Sequence, residues 1–274
     1  MAFLGFGKKQ DKENPSKNNS ILTGSMVYRV ANLHGVGKRA RQEDSFTVAN
    51  ALDDSKVQEQ GLFFAVCDGM GGMKDGKLAS ETAVGSLRKT FLSLDRSSDI
   101  ALQLRDALFR ASSEVESVIG GDGGCTAVVG IIFKDKLYYA GVGDSYFYLF
   151  REGVPYRINR EQNLCHQNYL ELIREGSMIP GDYQDRAEAA SLTQFLGMIG
   201  LNDIDWFVRP LPLRSGDILL ACSDGVGGVL NEEEVKTALS RPTEKEMCDW
   251  MEQRLVDYNM INQDNYTAVV VKCI

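Results

Sequence analysis

Apolar residues recur along this chain in two rhythms. Short runs rich in β-branched and aromatic residues, bounded by Gly, Asp or Asn, predict strands at 27–31, 45–49, 62–67, 126–133, 136–142, 147–150, 206–208, 218–222 and 267–273. Two longer stretches have helical spacing. Ala79, Ala83, Leu87 and Phe91 share one helical face, and Leu104, Leu108, Ala111, Val115 and Val118 share another. Thr243 followed by Glu246 is a capping-box pattern that opens a helix through about Asp257. Residues 160–200 are polar and weakly periodic, and read as an excursion from the core. Residues 1–24 are polar, rich in Lys, Asn and Ser, and aperiodic, so a disordered tail is expected there.

The order of elements lacks the regular strand–helix alternation of a parallel sheet. Hairpin-like spacing, as in IIFKDKLYYAGVGDSYFYLF, points to antiparallel sheets with helices packed outside them. The expectation is one α+β domain over residues 25–274. No internal repeat of solenoid period is present.

Composition narrows the function classes. Of the 274 residues, 43% are apolar and 25% charged, which suits a packed core. A net charge of −8 argues against nucleic acid as the main partner. It leaves room for an anionic substrate, because a local cation can reverse the field at a site. No apolar run approaches the ~20 residues that span a bilayer, so no membrane partner is expected. The N-terminus lacks the order of a secretory signal. The six cysteines form no Cys-x-x-Cys pair, and reduced, structural thiols in a cytoplasmic setting are expected.

The candidate chemistry begins with an echo. CDGMGG (67–72) and SDGVGG (223–228) each follow an apolar run, LFFAV and ILLAC. A dinucleotide cradle would need G-x-G-x-x-G, but Lys74 stands at the third glycine position and Asp68 would repel a pyrophosphate. No Walker-type motif and no kinase catalytic-loop signature occur. Hard cations, in contrast, prefer carboxylates and carbonyls, and glycines let the backbone bring a carbonyl close to an ion. Further acids stand at strand ends: Glu43 and Asp44 in RQED, Asp144 in VGDS, and Asp264 in NQDN. A single Asp-Gly is ordinarily a turn. Charged acids that follow such apolar runs, with few bases nearby, are costly unless cations join them.

GKRARQEDSF, CDGMGG, GVGDSYFYL, GDILLACSDGVGG and QDNYTAVVV occur in the order and spacing of one family. From about Met26 to Cys273 the chain resembles the metal-dependent protein phosphatases of type 2C, the PPM family, and its bacterial members in particular. The resemblance implies two antiparallel β-sheets packed as a sandwich, α-helices on each outer face, and a flap insertion at about 160–200. It implies two divalent ions, manganese or magnesium. Asp68 would bridge them. Glu43 and the carbonyl of Gly69 would join one ion, and Asp224 and Asp264 the other. Asp44 would orient the attacking water, Asp144 would hold a third ion, and Arg39 would grip the substrate phosphate.

The implied activity is hydrolysis of phosphoserine and phosphothreonine in proteins, including those modified by a Ser/Thr kinase, by a monomeric enzyme. The alternatives are a non-catalytic pseudophosphatase and a phosphomonoesterase for small molecules. Several positions differ from the family pattern. Met70 stands where many eukaryotic members carry a catalytic histidine, and neither His34 nor His166 fits that motif. Protonation of the leaving group by water is therefore expected. Lys77 replaces a frequent Glu, Tyr146 ends the Gly-Asp-Ser motif in place of Arg, and INREQN and LTQFLG replace the usual segments around the flap.

Overall fold

A computed structural model describes residues 26–71, 75–121, 123–177 and 191–274. The tail expected over 1–24, and the part of the excursion at 178–190, lie outside these residues. In chain order the elements begin with β1 (Tyr28–Gly35), β2 (Ser45–Ala49), α1 (Asp54–Gln60), β3 (Leu62–Cys67) and β4 (Gly69–Met70). The long helices α2 (Asp75–Leu92) and α3 (Ile100–Ile119) follow. Then come β5 (Gly124–Cys125), β6 (Ala127–Phe133), β7 (Lys136–Val142), β8 (Tyr146–Arg151), β9 (Val154–Arg157) and α4 (Leu164–Arg174). The chain closes with β10 (Asp205–Trp206), β11 (Leu211–Pro212), β12 (Ile218–Cys222), α5 (Asp224–Gly227), α6 (Glu232–Leu239), α7 (Glu244–Tyr258) and β13 (Tyr266–Cys273).

Two antiparallel sheets form the centre. One has the order β1-β13-β12-β8-β9, and the other β10-β7-β6-β3-β2. Strand alternation divides the core into three layers. In β3, Phe63, Ala65 and Cys67 face α2 and α3, where they meet Ala83, Leu87, Leu104 and Leu108. Leu62, Phe64 and Val66 point the other way, into the space between the sheets, against Phe147, Leu219 and Val269. In β13, Ala268 and Val270 pack under α6 and α7 against Val235, Met247 and Met251. Both faces of each central strand are covered, so LFFAVC is apolar throughout although its sheet is antiparallel.

Antiparallel register then sets where the acids go. The end of β3 lies beside the start of β2, with Ser45 opposite Cys67. The end of β12 lies beside the starts of β13 and β8, with Cys222 opposite Ala268 and Tyr146. The residues just outside these strand ends, Asp44, Asp68, Asp144, Asp224 and Asp264, therefore collect on one rim of the sandwich.

Candidate active site

The rim encloses a cleft of about 730 Å³ lined by Arg39, Glu43, Asp68, Asp144, Asp224 and Asp264, with Gly69 and Met70. Asp44 lies behind this lining and is buried, at 1% exposure. All the acids predicted from the sequence thus meet at one place. A shallower depression of about 410 Å³ beside α6 and α7, lined by Glu233, Trp250 and Arg254 among others, holds none of them.

The two halves of the echo fold differently. After Asp68 the chain continues as β4, paired with β5 through Gly69 opposite Cys125. Asp224 instead opens the one-turn helix α5. What they share is an aspartate fixed at a strand end. Asp68 is tied down by a backbone bond from Thr126 N to its carbonyl (2.9 Å) and by its own N–H to Thr126 Oγ1 (3.2 Å). Thr126 Oγ1 also meets Ser145 Oγ at 2.6 Å, which links the Asp68 strand end to the Asp144 turn. A Cβ added at Gly69 would stand 2.2 Å from the carbonyl oxygen of Gly76 and 2.5 Å from that of Glu43. Only glycine fits this approach.

Burial and mutual repulsion make the acids reluctant to ionise. The Asp44 carboxyl is pushed up to about 6, first by burial. Asp144 is pushed up to about 7 by burial and then by the charge of Asp224. Asp68 is raised well above the ordinary carboxylate range by burial, then by Asp44 and Asp224. Asp224 is also raised, again chiefly by burial. Asp68 stands close enough to Asp44 and Asp224 for each of their charges to raise its carboxyl.

The remaining partners are neutral or basic. Ser223 Oγ donates to Asp44 Oδ2 at 2.8 Å, while Asp44 Oδ1 is buried with no hydrogen-bond partner. Arg39 Nη2 donates to Asp264 Oδ2 at 2.6 Å near the mouth of the cleft. Among the described residues, no group of three or more acids, histidines or cysteines is arranged to hold an ion as it stands. The acids are engaged with one another, with Ser223 and with Arg39. The donor set still suits a hard cation: carboxylate oxygens, the Gly69 backbone beside them, and one orphaned buried oxygen.

Sequence reasoning missed the residues that hold the acids in place. Asn265, 4% exposed, donates from Nδ2 to the carbonyls of Val36 and Arg41, both at 2.9 Å. Its Oδ1 accepts from Glu43 N at 2.7 Å. One amide thus fixes both ends of the loop that carries Arg39. The unusual INREQN segment has a similar role toward Asp144. Asn159 accepts from Phe147 N and donates to Ser145 O, both at 2.8 Å. Gln162 Oε1 accepts from Gly143 N at 2.8 Å. Arg157 donates to the carbonyl of Asp144 at 3.1 Å and lies 3.8 Å above the Tyr146 ring. The only signal for these residues was a polar side chain beside each acidic motif. LTQFLG returns the excursion to the core: Leu196 is fully buried and pairs with Cys125, and Leu192 lines the cleft.

No histidine lines the cleft among the described residues. His34 Nδ1 lies 2.9 Å from Thr267 Oγ1, and the backbone N–H of His166 donates to the Asn163 cap of α4.

The fold and the rim define a helix-flanked β-sandwich with a carboxylate-lined cleft. The profile of the family Protein phosphatase 2C matches residues 29–169. The serine/threonine phosphatase stp of Listeria monocytogenes is 32% identical over 216 residues, covering 76% of this chain and 82% of the relative. The chain belongs to the protein phosphatase 2C family and is an enzyme, a phosphatase. The serine/threonine protein phosphatase PstP of Mycobacterium tuberculosis is 26% identical over 84% of this chain and 44% of its own length. Among solved structures, the Streptococcus agalactiae serine/threonine phosphatase matches with a TM-score of 0.75 at 21% identity, covering 89% of this chain and 99% of that one. The catalytic domain of PstP in complex with two manganese ions matches at 0.70 and 24% identity, over 91% and 100%. These last two likenesses bear on the fold alone.

Proposed function

We propose that this chain hydrolyses phosphoserine and phosphothreonine in proteins, as a single domain over residues 25–274, with the aid of divalent ions, manganese or magnesium. Glu43, Asp68, the Gly69 carbonyl, Asp224 and Asp264 would hold two ions, and Asp144 a third. Bound divalent ions supply a water acidic enough to attack near neutral pH, together with counter-charge for the phosphoryl oxygens.

The chain's own residues supply the rest. Arg39 binds the phosphate: its planar guanidinium can meet two phosphoryl oxygens at once. It stands 58% exposed at the cleft mouth, where an incoming phosphate meets it first. Asp44 holds the attacking water and takes its proton. Its Oδ2 is fixed by Ser223, and its Oδ1 is left to accept. With no histidine at the cleft, the leaving alkoxide takes its proton from water.

The observation that carries this reading is the packing of mutually repelling carboxyls, Asp68 and Asp224 in the lining and Asp44 behind it, around a cleft that also presents an arginine. The name of the Listeria relative supports the phosphoserine/phosphothreonine assignment, and a neighbour in fold, the PstP catalytic domain, is in complex with two manganese ions. The test is turnover of p-nitrophenyl phosphate and of a phosphothreonine peptide in Mn²⁺, Mg²⁺ and chelator. Activity on both with metal is expected, with a loss of about 10²-fold or more in chelator and in Asp68→Asn. Turnover unaffected by chelator overturns the metal assignment. Turnover of the aryl phosphate alone overturns the protein-substrate assignment.

A further inference from the structure

The loop that carries Arg39 has a second face. Against α7 it closes a small groove of about 210 Å³ lined by Val36, Gly37, Leu255, Val256, Met260 and Tyr266. Val256 is 57% exposed, Val36 43% and Met260 42%, and Ile261 beside them is 91% exposed. The sandwich core does not use these side chains.

The groove and the cleft share a wall. Lys38 lines the groove, while Arg39 lines the cleft. Adjacent α-carbons are only about 3.8 Å apart. On the segment that leads into β13, Gln263 and Tyr266 line the groove, and Asp264 and Asn265 between them line the cleft. The wall is closely packed. Lys38 N donates to Gln263 O at 2.8 Å, and a Cβ at Gly37 (φ +61°) would stand 2.2 Å from Asp264 O.

Size selects the occupant. Pockets for whole small ligands run to about 300–1,000 Å³. This groove is below that range and matches one large apolar side chain. Its continuity with the cleft says where that side chain comes from. An extended chain advances about 3.3 Å per residue, so a side chain close in sequence to a phosphorylated residue at Arg39 can enter the groove.

We propose that the groove is a substrate-docking pocket. It takes one large aliphatic or aromatic side chain, close in sequence to the phosphorylated residue, from an extended segment of a protein substrate. The proposal rests on the protein-phosphatase reading above.

The test uses the full chain with Mn²⁺ and phosphothreonine peptides of alanine background, in which one Leu is walked from four residues before the phosphothreonine to four after it. p-Nitrophenyl phosphate is measured in parallel. At one position, Leu is expected to raise kcat/KM about tenfold or more, chiefly through KM. In Val256→Gln and Met260→Gln, two exposed substitutions that spare the core, the ratio of Leu-peptide to aryl phosphate turnover is expected to fall by a similar factor. A flat panel, or a Leu preference that survives both substitutions, overturns the groove and leaves the phosphatase reading intact. Turnover of the aryl phosphate with none of any peptide overturns both.

Discussion

At the scale of single residues, Asp44 is the clearest case of an acid held at the cost of stability. Its carboxyl is 1% exposed, one oxygen has no partner, and burial pushes it up to about 6. The folded chain thus keeps a proton there to a higher pH than the unfolded chain, whose aspartates release it near 3.8. Stability of the metal-free protein therefore falls as pH rises from about 3.8 to about 6, and the loss is complete above that. It amounts to about 2–3 kcal/mol. Asp44→Asn keeps the shape without the charge. In chelator, the variant is expected to be more stable than wild type at pH 7.5 and to lose most of that advantage at pH 4.5, measured by urea unfolding. A variant less stable than wild type at pH 7.5 contradicts the argument. The acids themselves were legible in the sequence, because an ionisable group after a run such as LLACS has no cheap structural explanation. Asn265 was not legible: an Asn beside an Asp is ordinary, and its three bonds depend on chain segments some 220–230 residues away.

At the scale of elements, the strands and long helices were readable where one periodic face meets a core. α1 was invisible because it buries little: DSKVQEQ has no fully buried residue, Val57 alone packs partly against the core, and Asp53 caps the start. In α3 the expected face drifts at its end, where Ile119 is buried and Val118 is half exposed. The strand expected at 206–208 is instead two short pieces, β10 and β11, which form the sheet edge outside β7. Edge pairing of two residues leaves too little alternation to read. The stretch between β1 and β2 has no regular structure, so its shape depends on the start of β13. Asn265→Ala removes the amide that holds Val36, Arg41 and Glu43. The expected cost is about 2–4 kcal/mol, because buried donors and acceptors lose their partner. The enzyme that remains folded at low temperature is expected to show a raised KM for phosphopeptide, since Arg39 is no longer fixed. A KM equal to wild type, measured at saturating Mn²⁺, rules out this positioning role.

At the scale of the whole molecule, both sheets contribute to one charged rim, and metal binding should therefore couple to global stability. Glu43, Asp44 and Asp68 border the sheet under α2 and α3, and Asp224 and Asp264 border the sheet under α6 and α7. Repulsion across the rim acts to part the two halves, and a bridging cation reverses that force. An ion that binds only the folded chain stabilises it by about 2.7 kcal/mol at one hundred times its dissociation constant. For a domain of this size that is a rise in Tm of about 5–11 °C. Protons compete for the same carboxyls, so the Mn²⁺-induced rise is expected to grow between pH 5.5 and 7.5, as Asp44 and Asp144 release theirs near 6 and 7. Differential scanning fluorimetry in Mn²⁺ and in chelator, at both pH values, gives the four numbers required. Asp68→Asn removes the central charge and should abolish most of the rise at either pH, while its own metal-free Tm stays at or above that of wild type. A Mn²⁺ effect of equal size at both pH values, or one retained in Asp68→Asn, would mean that the ion binds elsewhere.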